Sequence, residues 1–508
     1  MDTFLDKPSR MRSLRAGLFC LGIAFAGGFS SPCALADDTV ISETAFFDLA
    51  MRDGKNYSED AEKKLMQGLE QGYPVNAQGG HRTVFMQLVH RAATPDLIKA
   101  ALKSKPDLNA RDYAGRTPFM TAVAEKPLEI VELLWPSPFS AELKDINGES
   151  LVTLALNNPD ERVLPRILRE KVHAGVKDSK GISPVMRIAR GDIKVSPETL
   201  ALLKERGADF NEIDPETGWT TLQTLFMRGK DIRFGDEEKE KMLRFIRLGA
   251  SPETKNRNGD TAFHALLRQP RGDFKWPFFM MLGAHPDLEL KDAGGATVLH
   301  ALAGTVRDDG ARWDLIWQIL AAGADMDAPD NDGMTPLMAA ADNGNKNVAY
   351  ALLLAGADTK AVSKEGLNVL FYGISGHLNA GRFKDLITFG ADVGLRHPPT
   401  GMTPLLAALL DGSCSDHAWY LVEGGADVNA ADKEGRTPLM AAALRQDYGR
   451  LFDKLIKAGA DIDARDKQGR KAADYLDLNP KMADPDERNQ KNLAEIRAKL
   501  TRKPDQAQ

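Results

Sequence analysis

Histidine, cysteine and paired carboxylates are the side chains from which metal sites and catalytic centres are usually built. The nine histidines are scattered, and no two have the spacing that places both on one face of a helix. Cys414 lies in a polar segment, residues 411–416, without basic neighbours, which favours an inert thiol. Neither a glycine-rich nucleotide-binding motif nor a hydrolase motif occurs. We therefore predict no catalytic residue, no metal site and no cofactor.

A second kind of candidate consists of side chains that vary while the residues around them repeat. Variation on a constant frame is typical of recognition, whereas the alternative is an ordinary soluble surface. We predict that these residues bind a partner protein, and they are Arg111, Tyr113, Lys364, Arg396, Lys433, Arg465 and Lys467.

The frame that must position them is clearest in residues 425–461. Thr437 is placed to cap a helix, and Pro438 follows at the first helical position, where no N–H is required. A short alanine-rich helix is predicted there, and then a second helix with apolar Leu451, Leu455 and Ile456 on one face. Gly459 ends the second helix, because glycine adopts the left-handed conformation without strain. Such a helix pair cannot bury both of its apolar faces alone, so it must be stabilised by neighbours.

The unit recurs along the chain. The heptamer Thr-Pro-Leu-Met-Ala-Ala-Ala occurs at 335–341 and again at 437–443, a separation of three periods of about 34 residues. Every opening position except the last carries a helix-capping residue type. The openings are Thr83, Thr117, Ser150, Ser183, Thr220, Thr261, Thr297, Thr335, Asn368, Thr403, Thr437 and Lys471.

This unit resembles the ankyrin repeat, in which a β-hairpin finger precedes two antiparallel helices. The resemblance implies an all-α ankyrin-repeat solenoid of about 13 helix-turn-helix units with β-hairpin fingers, whose fingers and first helices line a concave side. Most units carry Met or another residue where the family usually has His, although His264 and His300 keep the family's residue. The resemblance also implies that these histidines bond a neighbouring finger. It assigns a turn-bracing role to Asp112, Asp330, Asp432 and Asp466.

The unit boundaries predict the domain organisation. We expect an N-terminal capping repeat at 41–82, the repeat array at 83–470, a C-terminal capping repeat at 471–500 and a disordered tail at 501–508. Long intervals between openings predict insertions within 183–335, including a charged segment between helices at 228–241 and a loop at 304–310. The pattern is weakest at 135–176, where prolines interrupt both helices.

The first 36 residues have the pattern of a secretory signal peptide. Four basic residues precede an apolar run at 16–29, and Ala34-Leu35-Ala36 follows as a small-x-small cleavage site; either Met1 or Met11 could be the start. Cleavage would remove four basic and two acidic residues, so the net charge would change from −6 to −8. An acidic protein is a poor nucleic-acid ligand, and the remainder has no second long apolar stretch for a membrane anchor.

These observations predict an exported, monomeric scaffold, in the periplasm or secreted, that binds a protein partner and is not an enzyme. The partner could be a periplasmic enzyme that the scaffold stabilises or inhibits. One alternative is a secreted effector acting on a host or competitor cell. Another is an enzyme with an unrecognised site in the diverged region 135–260.

Overall fold

The computed structural model describes residues 41–52, 56–91, 94–191, 193–227, 235–268, 275–304, 310–412, 415–444, 449–478 and 487–501. The described residues form 26 helices arranged as thirteen consecutive pairs. The first helices of the pairs are α1 Glu43–Met51, α3 Val84–His90, α5 Pro118–Glu125, α7 Leu151–Leu156, α9 Pro184–Ala189, α11 Thr221–Met227, α13 Ala262–Leu267, α15 Val298–Ala303, α17 Pro336–Asp342, α19 Val369–Ser375, α21 Pro404–Asp411, α23 Pro438–Ala443 and α25 Ala472–Asp477. The second helices are α2 Glu59–Glu70, α4 Pro95–Lys103, α6 Leu128–Leu133, α8 Val163–Leu168, α10 Pro197–Glu205, α12 Asp236–Arg247, α14 Lys275–Leu282, α16 Gly310–Ala321, α18 Lys346–Ala355, α20 Ala380–Thr388, α22 Ser415–Glu423, α24 Gly449–Lys457 and α26 Glu487–Thr501. The all-α repeat solenoid predicted from the sequence is confirmed.

Each of the twelve predicted openings directly precedes a first helix, and most cap it through their side chains. The Thr83 hydroxyl accepts a hydrogen bond from Met86 N at 3.2 Å, and Ser183 accepts one from Met186 N at 3.1 Å. Lys471 cannot act in this way. Instead, the Asp474 carboxylate three residues later accepts the Lys471 backbone N–H at 2.7 Å.

The helices form two layers. Each first helix packs on the next first helix from α1 to α25 without interruption. Buried alanines such as Ala340 and Ala341 allow this close approach. The second helices form an outer layer whose packing is weakest between α6 and α8, α10 and α12, and α14 and α16. These junctions lie where the sequence pattern is irregular. At these places the neighbouring repeats are therefore held together mainly by the packing of the first helices.

The fingers differ from the predicted β-hairpins. One two-stranded ladder occurs among the described residues, β1 Gln78–Gly79 paired with β2 Arg82–Thr83, together with isolated bridges Lys144–Ser150 and Ile213–Thr220. The other fingers are turns that are too short for a ladder. Their backbone polar groups are satisfied by aspartate side chains and by neighbouring fingers instead.

The predicted charged segment between helices at 228–241 needs correction, because 236–241 form the first part of α12. Asp236, Glu237 and Glu238 lie in the first turn of that helix, where negative charge offsets the exposed N–H groups. The signal peptide at 1–36, residues 305–309 of the predicted loop, Cys414 and residues 502–508 of the tail lie outside the described residues. Across the parts of the chain with described structure, every helix is too short or too polar to cross a bilayer.

Candidate interaction surface

Most fingers are closed by a side chain at the position five residues before the helix opening. Asp112 Oδ1 accepts hydrogen bonds from Ala114 N and Arg116 N, both at 2.9 Å. Asp432 accepts two equivalent bonds at 2.9 Å, and Asn256 replaces the carboxylate with an amide oxygen that accepts the same pair. The predicted bracing role of Asp112, Asp330, Asp432 and Asp466 is confirmed in all four fingers.

Arginine neutralises several of these buried carboxylates. Arg116 Nε lies 3.0 Å from Asp145 Oδ2 in the next finger, and the Asp145 side chain is completely buried. Arg190, at the end of α9, pairs with Asp214 at 2.5 Å. Breaking a buried pair of this kind leaves an uncompensated charge, so the pairs hold neighbouring repeats in register.

Several pairs of neighbouring fingertips are joined by backbone hydrogen bonds. Ile146 N donates to Ala114 O at 2.9 Å, and Lys364 N donates to Asp332 O at 2.9 Å. Lys433 N and Lys467 N donate in the same way to the preceding fingers, at 2.8 and 3.0 Å. The fingers therefore form a strip with a repeating spacing along the stack, and residues at equivalent positions lie side by side.

Three of the predicted binding residues also bridge adjacent fingers. Arg111 donates to Gly115 O at 2.7 Å and to Lys144 O of the next finger at 3.4 Å. Arg396 reaches Ala431 O of the next finger at 2.6 Å, and Lys364 Nζ reaches Asn331 O of the preceding one at 2.6 Å. These three cations support the strip as well as facing solvent.

The other predicted residues present their side chains at the tips. Arg465 donates within its own finger, to Gly469 O at 2.6 Å, while Lys433 and Lys467 are exposed. Tyr113 is 68% exposed. The strip thus places all seven residues on one side of the fold, although 111–113 lie many repeats away from 364–467. Their role in binding remains a prediction.

The sequence prediction overlooked two neighbours of Tyr113. Ile146 occupies the equivalent position in the next finger and is 72% exposed, a large fraction for an isoleucine. His81, in the preceding finger, has its ring centroid 6.1 Å from that of Tyr113 in an edge-on arrangement. The signal was present, because Tyr113 and Ile146 both lie four residues before a helix opening.

Two predicted histidines and one unpredicted glutamine link first helices to the following finger. His264 Nε2 lies 2.8 Å from Ala296 O, and His300 Nε2 lies 2.9 Å from Met334 O, as expected. Burial lowers the pKa of both imidazoles. Gln223 occupies the same position and makes the same link, donating to Asp260 O at 3.0 Å.

Several buried titratable groups of the region 135–260 are engaged between repeats, whereas Glu149 Oε2 is buried without a hydrogen-bond partner among the described residues. Besides the Arg190–Asp214 pair, Lys177 Nζ lies 3.4 Å from Glu212 Oε2, and burial raises the pKa of Glu212. Among the residues with described positions, no three His, Cys, Asp or Glu side chains are grouped so that they could hold a metal ion. The geometry of these groups is that of bracing contacts between neighbouring units.

Comparison with protein families gives a match to the model described as "Ankyrin repeats (3 copies)", over residues 302–383 and 380–466. The matched part contains both copies of the Thr-Pro-Leu-Met-Ala-Ala-Ala heptamer, at 335–341 and 437–443.

Several known proteins share this similarity. A mouse B-cell lymphoma 3 protein homolog is 32% identical over 165 residues, which is 32% of this chain and 35% of that protein. The chicken nuclear factor NF-kappa-B p105 subunit is 30% identical over 157 residues, 29% of this chain and 16% of its own length. Human Rabankyrin-5 is 26% identical over 316 residues, 60% of this chain and 25% of its own length. The chain thus spans about a third or less of these curated relatives.

Among solved structures, the ankyrin repeat domain of Bcl-3 is similar at 22% sequence identity with a TM-score of 0.35. The alignment covers 44% of this chain and 99% of that domain.

Proposed function

We propose that this chain, which is an ankyrin-repeat protein, binds a specific partner protein along its strip of fingers. Ankyrin repeats are protein-interaction modules. The observation that carries the proposal is the joined strip, in which backbone bonds such as Lys433 N to Thr400 O at 2.8 Å fix the fingertips before any partner arrives. A surface ordered in advance reduces the entropy lost on association.

The finer proposal is that the protein works after export, as a monomer in the periplasm or outside the cell. The supporting observation is the basic and then apolar leader with Ala34-Leu35-Ala36 at its end. The proposed partner is an enzyme that the scaffold stabilises or inhibits. The N-terminal sequence of the protein isolated from cells tests this directly, and cleavage after Ala36 is expected. A chain that retains its first 36 residues in the cytoplasm would contradict export.

Binding is tested by capturing partners on the chain beginning at Asp37 and then measuring the affinity of each purified candidate. Charge reversal at two exposed fingertips, Lys433→Glu with Lys467→Glu, should weaken the complex. A matched reversal on the exposed part of the outer layer, Lys384→Glu with Lys457→Glu, should leave the affinity unchanged. Equal losses from both pairs, or capture of chaperones alone, would count against the proposal.

A further inference from the structure

The first fingers carry an exposed apolar pair. Tyr113 and Ile146 are 68% and 72% exposed, and the bond from Ile146 N to Ala114 O at 2.9 Å holds their fingers side by side. Ile146 lies over a glycine, since a methyl group on Gly115 would come within 2.8 Å of Ile146 Cγ2. His81 borders Tyr113 on the opposite side. These side chains remain exposed to solvent after the repeats have folded and packed.

Apolar residues are not typical of this position elsewhere in the strip. In other fingers the equivalent position holds polar or charged residues, Ser179, Arg257, Asn331, Lys364, Lys433 and Lys467, and in one finger the small Ala293. Aromatic and apolar residues that are exposed together and rimmed by polar groups mark interaction sites on soluble proteins. The fold of these two fingers does not require apolar residues at positions 113 and 146, because Asp112 and Asp145 already brace the two turns.

The charge around the pair is positive. The N-terminal fingers, defined as residues 78–82, 111–116, 144–149 and 177–181, contain six basic and four acidic residues in a chain of net charge −6. The exposed charged residues of these fingers are all basic, namely Arg111, Lys144, Lys177 and Lys180. The four carboxylates are buried or half-buried, and exposed Glu142 lies on the loop that precedes the third of these fingers.

Resting on the proposed function, we propose that the N-terminal fingers bind an acidic, extended segment of the partner protein that carries apolar residues. The apolar residues would pack on Tyr113 and Ile146, while the carboxylates would face Arg111 and Lys144. Opposite charges accelerate encounter and fix orientation, and a desolvated aromatic contact supplies most of the affinity. A nucleic acid fits less well, because the acidic remainder of the chain would repel its phosphates.

The test uses the full chain and short fluorescein-labelled peptides in which Asp alternates with Val. The peptide should bind, binding should weaken as ionic strength rises, and two matched peptides, Lys-Val and Asp-Ser, should bind more weakly. Tyr113→Ser with Ile146→Ser should reduce the affinity by roughly tenfold or more, as is common for the centre of an interface. Val362→Ser, at a 47% exposed aliphatic of a central finger, is the control and should have no effect.

The following outcomes would overturn the inference. If the Lys-Val peptide binds as well as the Asp-Val peptide, if the double substitution changes nothing, or if single-stranded DNA competes at the same site, the assignment is wrong. Self-association that the double substitution abolishes would show a second copy of the chain as the occupant instead. Failure of the inference is distinguishable from failure of the proposed function, because a captured partner that still depends on Lys433 and Lys467 would leave the scaffold role intact.

Discussion

The N-terminal fingers and the central fingers, defined as residues 291–296, 329–334 and 362–367, share one frame but differ in the chemistry of their tips. In both regions a side chain five residues before the helix opening braces the turn, as Asp145 and Asp330 do. In both, a backbone bond joins neighbouring fingertips. The N-terminal tips present Tyr113 and Ile146 among exposed cations, whereas the central fingers contain two basic and four acidic residues.

The comparison indicates that the buried residues that maintain the fold of a finger (the frame) and the exposed residues at its end (the tip) can vary independently. The frame depends on buried groups such as Asp145 that form hydrogen bonds within the stack, so a change at these groups should reduce stability. The tips contribute little to folding and are available to carry specificity. Experiments that disturb one and not the other can test this division in each region.

The largest effect is expected from removing a buried brace. Asp145→Ala would remove the acceptor of two backbone N–H bonds and leave Arg116 without its partner, at a cost of about 3–5 kcal/mol for breaking a buried pair. Asp330→Ala should cost less, because Asp330 is only half-buried. Urea unfolding of the two variants measures the difference. Equal losses would contradict the greater importance of the N-terminal pair.

High pH should stabilise the N-terminal part through Lys126. This lysine is 4% exposed, donates to His90 O at 2.8 Å, and has its pKa lowered by burial to about 8. The unfolded chain therefore holds this proton more tightly, and stability should rise between pH 8 and 10.5, by about 3 kcal/mol in total. Tyr57, whose pKa burial raises to about 12, ionises first in the unfolded chain, so it opposes this rise as the pH approaches 10 and above.

Lys126→Met is the matched variant for that measurement. It keeps the apolar stem and removes the titrating group, so the rise between pH 8 and 10.5 should vanish. A rise of unchanged size in the variant would show that another group is responsible.

Low pH should lower the stability of the central part of the stack. Burial lowers the pKa of His264 and His300, so the unfolded chain takes up their protons first and stability falls as the pH drops below about 6.5. Hydrogen-exchange protection factors, which correct for the slower intrinsic exchange at low pH, should therefore fall at pH 5 in α13 and α15, but less in α3 and α5, where Met86 and Met120 hold the same position. His264→Met with His300→Met should flatten this response. A uniform fall of the protection factors along the whole stack would contradict it.

The smallest effect on stability is expected at the tips. Tyr113→Ser with Ile146→Ser should change the free energy of unfolding by less than about 0.5 kcal/mol per site, as is usual for exposed positions. Thermal unfolding followed by circular dichroism measures this. A large loss would show that the pair belongs to the frame, and would remove the argument that these side chains are exposed for binding.

Much of the frame follows from sequence because it rests on local chemistry. Thr, Ser and Asn at the openings, glycine at the helix ends and aspartate in the fingers each act within a few residues, so their spacing predicts their partners. The link made by Gln223 was predictable from its position three residues after Thr220, but a glutamine there does not resemble the family's histidine. The extension of α12 over 236–241 was missed because its charges were interpreted as those of a loop.

Contacts between repeats were harder to predict. The bridging roles of Arg111, Lys364 and Arg396 depend on how closely one fingertip lies to the next, which no local pattern specifies. Ile146 is not evident as a binding residue because most fingertips carry a charged or polar residue at that position, although alignment of the openings places it beside Tyr113. The exposed fraction of a fingertip residue is a property of the stack and not of its own unit.

The most direct test of the account is photo-crosslinking of the captured partner from single sites. A benzophenone side chain would replace Tyr113, Ile146, Lys364 or Lys433 on the fingers, and Lys103, Glu205 or Lys457 at exposed sites on second helices. We expect the partner to crosslink from the fingers, most strongly at 113 and 146, and not from the second helices. Crosslinks from the second helices with none from the fingers would contradict recognition along the strip.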